Sequence, residues 1–250
     1  MTRLTDEKFW SDSYVNIQFQ DLHDHSVALL LQKYLPDGKG KAAIELGSFP
    51  GAFLPTIGRK GYSLNGIDFN PRNTDDLPAW LKSQDLQVGV FRSGDLFEFA
   101  SKNGQQFDLV CSFGLIEHFE NYDEVIRMHL SLLKPGGQLI ITTPNFRGWL
   151  QYLPHKFFDA YNLGKHYLPS MNPGKWKKLL ESEGFQTLYS GYFGGYAFWV
   201  DKDQKRSALN KRLFRLTEWS IFQLRKILWF QSSAFSAFCG IVAIKGHEKA

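Results

Sequence analysis

Residues 42–54 read A-A-I-E-L-G-S-F-P-G-A-F-L, and this stretch decides the fold. It opens with a short apolar run, which is typical of a strand buried on both faces of a parallel sheet. Glu45, Gly47 and Gly51 follow, with Pro50 between the two glycines. An acidic strand end followed by a glycine turn is how open α/β sheets bind a ligand's ribose or charged tail at a helix N-terminus. The same pattern is equally typical of a tight turn without a ligand.

Alternating apolar and helix-like segments on either side of this stretch predict a doubly wound, mostly parallel α/β sheet. Strands are predicted at residues 42–44, 64–69, 88–91, 107–113, 138–143, 185–192 and 237–245, and helices at 24–34, 121–133 and 174–183. Asp68 ends the second strand, about 20 residues after Gly47, where a carboxylate can accept hydrogen bonds from ribose hydroxyls. Such a strand end is equally typical of a simple turn, so Asp68 alone does not identify a ligand.

The size and charge of the chain bound what it does. A length of 250 residues suits one domain, residues 1–250, with a sizeable core. The net charge of +4 is too small to indicate nucleic-acid binding by itself. Between residues 201 and 226, eight Lys and Arg residues stand against three Asp and Glu residues. Because positive charge is sparse elsewhere, no nucleic-acid partner is expected.

Cysteine usage and the N-terminus predict where the protein is found. Cys111 and Cys239 each lie inside an apolar run, which predicts buried free thiols and a reducing compartment. The first ten residues, M-T-R-L-T-D-E-K-F-W, contain no apolar core of a signal peptide. No apolar run approaches the length that spans a bilayer. We therefore expect a cytoplasmic protein, and peripheral contact with a membrane stays open.

Four motifs in a fixed order say more than any one of them. They are E-L-G-S-F-P-G at 45–51, G-I-D-F at 66–69, F-D-L-V-C-S-F-G-L-I-E-H at 107–118 and L-L-K-P-G-G-Q-L-I-I-T-T-P-N at 132–145. Together they resemble the class I S-adenosylmethionine-dependent methyltransferase family, over about residues 25–200 plus the last strand. The chain is also similar, more loosely, to quinone O-methyltransferases. It departs from the family at Phe49, which stands where a middle glycine is common.

The resemblance implies a seven-stranded sheet that binds S-adenosylmethionine and releases S-adenosylhomocysteine. It implies that Asp68 binds the ribose hydroxyls through charge-assisted hydrogen bonds and that Glu45 borders the methionine end. Phe69 would pack beside the adenine, whose edge Asp95 and Leu96 would meet. The full set of expected cofactor-binding residues is Glu45, Gly47, Ser48, Phe49, Gly51, Asp68, Phe69, Asp95, Leu96, Ser112, Phe113 and His118.

The family's reaction moves a methyl group to an acceptor by in-line displacement, which mainly requires alignment and exclusion of water. We expect a hydroxyl acceptor, on a small molecule, a sugar or a lipid-linked molecule, in preference to an amine. The expected substrate cover comprises an N-terminal lid (1–24), the segment 146–172 and an insertion at 200–232. Expected substrate-binding residues are Tyr14, Asn145, Tyr152, Tyr161, His166 and Tyr167.

Three residues are candidates for catalysis. His166 is the first candidate base, because an imidazole can accept a hydroxyl proton near neutral pH, although a surface or capping role is equally typical. Glu117 and His118 form the second candidate pair, and Glu117 is equally compatible with a helix start. Quinone-type enzymes carry a further upstream acidic residue beside this pair, whereas Phe113 and Gly114 stand here. No metal is therefore expected.

Two other functions compete with an active methyltransferase. A nicotinamide-dependent dehydrogenase would require G-x-G-x-x-G after the first strand, which Gly47 and Gly51 do not fit. A non-catalytic, cofactor-binding scaffold that acts through a protein partner is the main alternative. The intact acidic residues Glu45, Asp68 and Asp95 disfavour the scaffold.

The insertion before the last strand also has several interpretations. Between residues 207 and 230, apolar residues fall mostly on one helical face and charged residues mostly on another. A basic amphipathic helix of this kind can lie on an anionic membrane. Equally, its apolar face can close the protein's own pocket or an interface between two subunits, and packing within the protein is slightly favoured. A monomer and a homodimer are both compatible with the sequence. The apolar residues in question are Leu213, Leu216, Ile221, Leu224, Ile227 and Leu228.

Overall fold

A computed structural model describes residues 2–104, 106–200 and 208–246 of the chain. Within them, the strands are β1 (Ala42–Leu46), β2 (Ser63–Asp68), β3 (Val88–Ser93), β4 (Phe107–Phe113), β5 (Leu133–Pro144), β6 (Phe185–Phe193) and β7 (Phe238–Lys245). The helices are α1 (Glu7–Ser13), α2 (Ser26–Tyr34), α3 (Leu54–Gly58), α4 (Asp76–Lys82), α5 (Leu96–Lys102), α6 (Tyr122–Leu132), α7 (Trp149–Phe158), α8 (Ala160–Leu163), α9 (Pro173–Ser182) and α10 (Ala208–Leu224).

The seven strands form one sheet in the order β3-β2-β1-β4-β5-β7-β6. All neighbours pair in parallel except β7, which is antiparallel to both β5 and β6. The predicted seven-stranded, mostly parallel sheet is therefore confirmed. Because β1 lies between β2 and β4, the strand order reverses there, and the carboxyl ends of these strands border the crevice where such folds bind ligands.

The predicted strands are all present, most with boundaries within two residues of the prediction, and the largest shift is in the fifth. The fifth strand was predicted from residue 138, but β5 begins at Leu133. Leu133 pairs with Phe107 at the start of β4, and the register then shifts before Gln138 pairs with Leu109. The L-K-P-G-G segment thus runs beside the edge of β4 as an irregular extension of the strand.

The core has two halves, one on each face of the sheet, because successive strand residues point to opposite sides. In β4, Leu109 and Cys111 belong to the half covered by α2, α3 and α4. Val110, between them, belongs to the half covered by α5, α6 and α9. Burial on both faces explains why the central strands read as continuous apolar runs.

The two cysteines behave as predicted. Cys111 lies on β4 and Cys239 on β7, with β5 between them. Both are buried free thiols. Cys239 Sγ lies 3.1 Å from the hydroxyl of Thr143 on the neighbouring strand.

The helix α10 occupies the predicted insertion, of which residues 201–207 lie outside the described residues. The helix covers a third, smaller apolar cluster that contains Tyr196, Ile221 and Phe235. The expectation that the whole apolar face of this helix packs within the protein is wrong, because four of its residues are exposed. These are Leu213, Leu216, Leu224 and Ile227. In the part of the chain that is described, no helix has both the length and the apolar character needed to cross a bilayer.

Candidate active site

A cavity opens at the carboxyl ends of β1, β2 and β4, where the sheet topology predicts a ligand crevice. Nine of the twelve predicted cofactor-binding residues line it. They are Glu45, Gly47, Phe49, Gly51, Asp68, Phe69, Leu96, Phe113 and His118. The topology therefore brings together residues that are spread over more than seventy positions of the sequence.

The loop after β1 is shaped by its two glycines. Gly47 and Gly51 have φ angles of +70° and +75°, a left-handed conformation that residues with a Cβ rarely adopt. A Cβ on Gly51 would lie 2.7 Å from Cδ1 of Leu77 in α4. The glycine thus permits the close approach of α4, and the loop curls so that the backbone N–H of Phe49 points toward β2.

Two carboxyl groups, that of the buried Glu45 and that of the partly buried Asp68, lie at the strand ends. Asp68 accepts hydrogen bonds from the backbone N–H of Phe49 (3.2 Å) and of Asn70 (2.8 Å). Burial raises the pKa of Asp68 to about 6, although these hydrogen bonds oppose the rise. Burial, and then the charge of Asp68, raise the pKa of Glu45 well above its usual range. Among the described residues, Glu45 Oε2 is buried without a hydrogen-bond partner, so the cavity is suited to a ligand that carries positive charge.

Three predicted cofactor residues lie outside the cavity lining. Ser48 is fully buried, and its hydroxyl donates to Asn73 Oδ1 at 2.8 Å. Ser112 is also fully buried, with its hydroxyl 2.9 Å from Nε2 of His129. Asp95 caps the N-terminus of α5 by accepting hydrogen bonds from two of its backbone N–H groups. Ser48 and Ser112 thus bond to residues behind the strand ends and lie outside the cavity lining, and their contact with the cofactor stays a prediction.

The N-terminal segment forms one wall of the cavity. Arg3, Thr5, Trp10 and Tyr14 line it. Tyr14 was predicted as a substrate residue, and burial, followed by the nearby carboxylate of Asp68, raises its pKa. Scattered aromatic residues were the sequence signal for a lid here, whereas nothing in the sequence marks Arg3 or Thr5.

Arg3 fills a box of aromatic rings beside Phe69. Its guanidinium carbon lies 5.0 Å from the ring centroid of Phe69, 5.6 Å from that of Phe97 and 5.8 Å from that of Phe119. The guanidinium also forms an ion pair with Asp95. Burial acts to raise the pKa of Asp95, and the hydrogen bonds to its carboxylate act to lower it. The net effect is a lowered pKa. Arg3 thus occupies the place where the sequence predicts the adenine.

The three candidate catalytic residues come together beside the cavity. His118 lines the cavity, and its ring centroid lies 4.8 Å from that of His166. The Nδ1–H of His118 donates to the backbone carbonyl of Lys165 (3.0 Å). The Nδ1–H of His166 donates to the backbone carbonyl of Asn162 (2.8 Å). Both Nε2 atoms therefore carry lone pairs. Burial, with the neighbouring His166, lowers the pKa of His118 to about 3, and burial lowers that of His166 to about 4.

Glu117 completes this cluster. Its carboxyl is buried, burial raises its pKa to about 8, and Oε2 has no hydrogen-bond partner within the described residues. In the described part of the chain, Glu117, His118 and His166 form the one group whose ligand atoms converge enough to hold a metal ion, all within 4.8 Å of one another. No metal was expected, because the upstream acidic residue that accompanies the Glu-His pair in quinone-type enzymes is replaced here by Phe113 and Gly114. The contribution of the distant His166 could not be foreseen from local spacing.

The other predicted substrate residues do not line the cavity. Asn145 is fully buried, and its Nδ2 donates to the carbonyls of Ser233 and Ser236. The amide ties the end of β5 to the segment before β7, and contact of Asn145 with substrate stays a prediction. Tyr152, Tyr161 and Tyr167 also lie outside the cavity lining.

Comparisons with known proteins agree with this architecture. A family model described as a methyltransferase domain matches residues 19–190. The ubiquinone biosynthesis O-methyltransferase of Coxiella burnetii is 26% identical over 155 residues, which are 60% of this chain and 65% of that protein. A second such O-methyltransferase, from Salmonella enteritidis, is 29% identical over 118 residues, 44% of this chain and 46% of that protein. The chain thus spans less than two thirds of the length of the curated relatives it matches.

A solved structure shows the same fold. A SAM-dependent methyltransferase from Archaeoglobus fulgidus superposes with a TM-score of 0.56 at 22% identity, covering 88% of this chain and 93% of that chain. At this identity the likeness concerns the fold alone, whereas the family model covers well over half of the sequence. The sequence motifs, the sheet order and the family match agree, and the chain belongs to the methyltransferase domain family.

Proposed function

We propose that this enzyme transfers the methyl group of S-adenosylmethionine to a hydroxyl oxygen of a small acceptor. The observation that carries the proposal is the meeting, in one cavity, of the carboxyl groups of Glu45 and Asp68 and a neutral imidazole with a free lone pair. The curated relatives named above are O-methyltransferases, which supports an oxygen acceptor.

The cavity's charge fits S-adenosylmethionine better than a dinucleotide. Glu45 is buried and Asp68 is partly buried, and their raised pKa values reflect the cost of removing negative charge from water. A ligand with an ammonium and a sulfonium group offsets that cost, whereas a pyrophosphate would add repulsion. We assign Glu45 to the methionine end and Asp68 to the ribose hydroxyls, with Phe69 and Leu96 beside the adenine.

His118 is the residue best placed to take up the acceptor's proton. When bound, S-adenosylmethionine supplies an electrophilic methyl group on a positively charged sulfur. As the acceptor oxygen would bond to that carbon and the carbon–sulfur bond would break, the oxygen's proton would become strongly acidic, so a weakly basic imidazole would suffice to take it. His118 lines the cavity with Nδ1 bonded to a carbonyl, which leaves Nε2 as the acceptor. We place His166 and Glu117 as positioning residues behind it.

The proposal is tested in two steps. Calorimetric titration of the purified chain with S-adenosylmethionine and S-adenosylhomocysteine measures cofactor binding. Transfer of a radiolabelled methyl group is then measured with catechols, sugars and primary amines, with and without EDTA. For His118→Gln we expect kcat to fall about 100- to 10,000-fold while the Kd of the cofactor changes little. His166→Gln is expected to lower kcat by a smaller factor.

A matched control and three outcomes make the test decisive. His23→Gln changes an exposed histidine outside the cavity lining and is expected to leave kcat unchanged. Absence of cofactor binding, or transfer to amines alone, would contradict the proposal. If EDTA abolishes activity and a divalent metal restores it, the assignment of His118 as base would be wrong. The cluster of Glu117, His118 and His166 would then be assigned as a metal site.

A further inference from the structure

The outward side of α10 is apolar and basic at the same time. The helix faces the protein through Phe214 and Ile221. Phe214 contacts the rings of Phe158 and Phe198, and Ile221 is buried in the small third cluster. On its opposite side Leu216, Trp219 and Phe222 are exposed, with Trp219 at 60% of its maximal exposure. Arg212 and Arg215 lie between these residues on the same side of the helix, by the helical period of 3.6 residues.

The helix α7 packs beside α10 and carries an exposed apolar stripe of its own. Trp149, Leu153 and Phe157 recur every fourth residue, so they form one stripe along the helix, and all three are more than half exposed. The two helices meet where the rings of Phe158 and Phe214 lie 5.5 Å apart. Residues after α10 continue the surface, with Ile227, Trp229 and Phe230 exposed and Trp229 at 84%.

The charged residues on this surface are mostly basic. Between residues 208 and 232, five Lys and Arg residues stand against the single acidic residue Glu218. All five basic residues are exposed. The charged side chain on the outer side of α7 is also a lysine, Lys156. A monomer rarely exposes so many large apolar side chains together without a partner.

We propose that α7, α10 and residues 225–230, here called the aromatic-basic surface, dock onto an anionic lipid membrane. Tryptophan and phenylalanine side chains insert at the boundary between headgroups and acyl chains, while Lys and Arg attract anionic headgroups. A second copy of the chain fits less well. A symmetric dimer would place the same basic surface of each subunit against the other, which costs electrostatic energy.

The place of this surface beside the active site bears on the acceptor. The helix α7 leads through α8 to His166, whose ring contacts that of His118 in the cavity wall. Docking would therefore hold the cavity near the headgroup level, where a lipid-linked hydroxyl can reach it. This last step rests on the proposed function, whereas docking itself does not.

Vesicle sedimentation tests the docking. The full chain is mixed with vesicles of phosphatidylcholine alone or with 30% phosphatidylglycerol, at about 100 and 500 mM NaCl. We expect binding to the anionic vesicles that weakens at high salt, since salt screens the headgroup charge. Arg212→Gln with Arg215→Gln should weaken it roughly 25-fold, at about fivefold for each lost charge. Trp219→Ser with Trp229→Ser should weaken it by at least about tenfold, because the apolar contribution of both rings is lost.

A control variant distinguishes binding through this surface from nonspecific binding by exposed apolar residues. Leu29→Ser with Val90→Ser removes two exposed apolar residues on α2 and β3, and we expect unchanged vesicle binding. All variants should bind S-adenosylmethionine like the wild type, which shows that they are folded and tests the cofactor site separately. Equal binding to neutral vesicles, no binding to either kind, or a dimer that Trp219→Ser dissociates without any vesicle binding would each overturn the proposal.

Discussion

Replacing Asp68 by asparagine gives the sharpest test of the cofactor site. The substitution keeps the shape of the side chain but removes the charge that the proposed ribose contact uses. Hydrogen bonds to a charged group contribute about 1.5–3 kcal/mol each, and two ribose hydroxyls are available. Allowing for partial replacement by the amide, we expect a loss of about 2–4 kcal/mol, or roughly 30- to 1,000-fold in Kd.

The pH dependence of binding gives this prediction a second, independent readout. Because burial raises the pKa of Asp68 to about 6, a proton competes with the cofactor for the carboxylate below that pH. Affinity is therefore full above pH 6 and falls as the pH drops through 6. For the wild type we expect cofactor binding about tenfold weaker at pH 5 than at pH 7. The asparagine variant has no proton to bind there and should lose this dependence.

Calorimetric titration at pH 5, 6, 7 and 8 measures both effects. Other titrating groups, including Glu45 and the cofactor's amine, are shared by wild type and variant, so the ratio of their Kd values isolates Asp68. Circular dichroism checks that the variant is folded. A Kd within threefold of wild type at pH 7, or parallel pH profiles for the two proteins, would refute the assignment of Asp68 to the ribose.

Three further substitutions test the surroundings of the cavity. Arg3→Ala should tighten cofactor binding about fivefold in the same titration, because Arg3 fills the aromatic box and forms an ion pair with Asp95. Weaker binding would show instead that Arg3 contacts the cofactor. Asn145→Ala should lower the free energy of unfolding in urea by about 2–3 kcal/mol, since the amide donates to the backbone carbonyls of Ser233 and Ser236. Unchanged stability together with a raised KM for the acceptor would instead support its predicted substrate role. Gly51→Ala should destabilise the protein by roughly 1–3 kcal/mol more than Gly40→Ala, which shares a φ of +75° but has open space around its Cβ; equal losses would mean that contact with α4 is unimportant.

The sequence predicted the sheet well because the strands carry their own signals. Buried parallel strands read as apolar runs, and the motifs at their carboxyl ends fall at fixed places relative to them. Asp68 and Gly51 could therefore be placed in the crevice from their positions along the chain alone. Ser112 was expected in the crevice too but lies outside the cavity lining, because strand periodicity does not reveal that its side chain bonds to His129 of α6.

Contacts between distant segments were beyond reach of the sequence. Arg3 reaches its aromatic box from the N-terminus, and His166 joins the Glu117–His118 pair across nearly fifty residues. The face of α10 was misjudged for a related reason. An amphipathic pattern identifies an apolar side, but burial depends on what the remainder of the chain leaves uncovered, and in α10 it is Phe214 and Ile221 that find neighbours to pack against.

The position of β7 has a consequence for synthesis on the ribosome. The strand lies between β5 and β6, although it is made after both and after α10. Until residues 238–245 emerge, β5 and β6 each keep an unpaired edge, and such edges are prone to pair with other chains. Long-range pairing of this kind is also slow. A nascent chain that stalls before residue 238 is thus expected to be a chaperone substrate and not an enzyme.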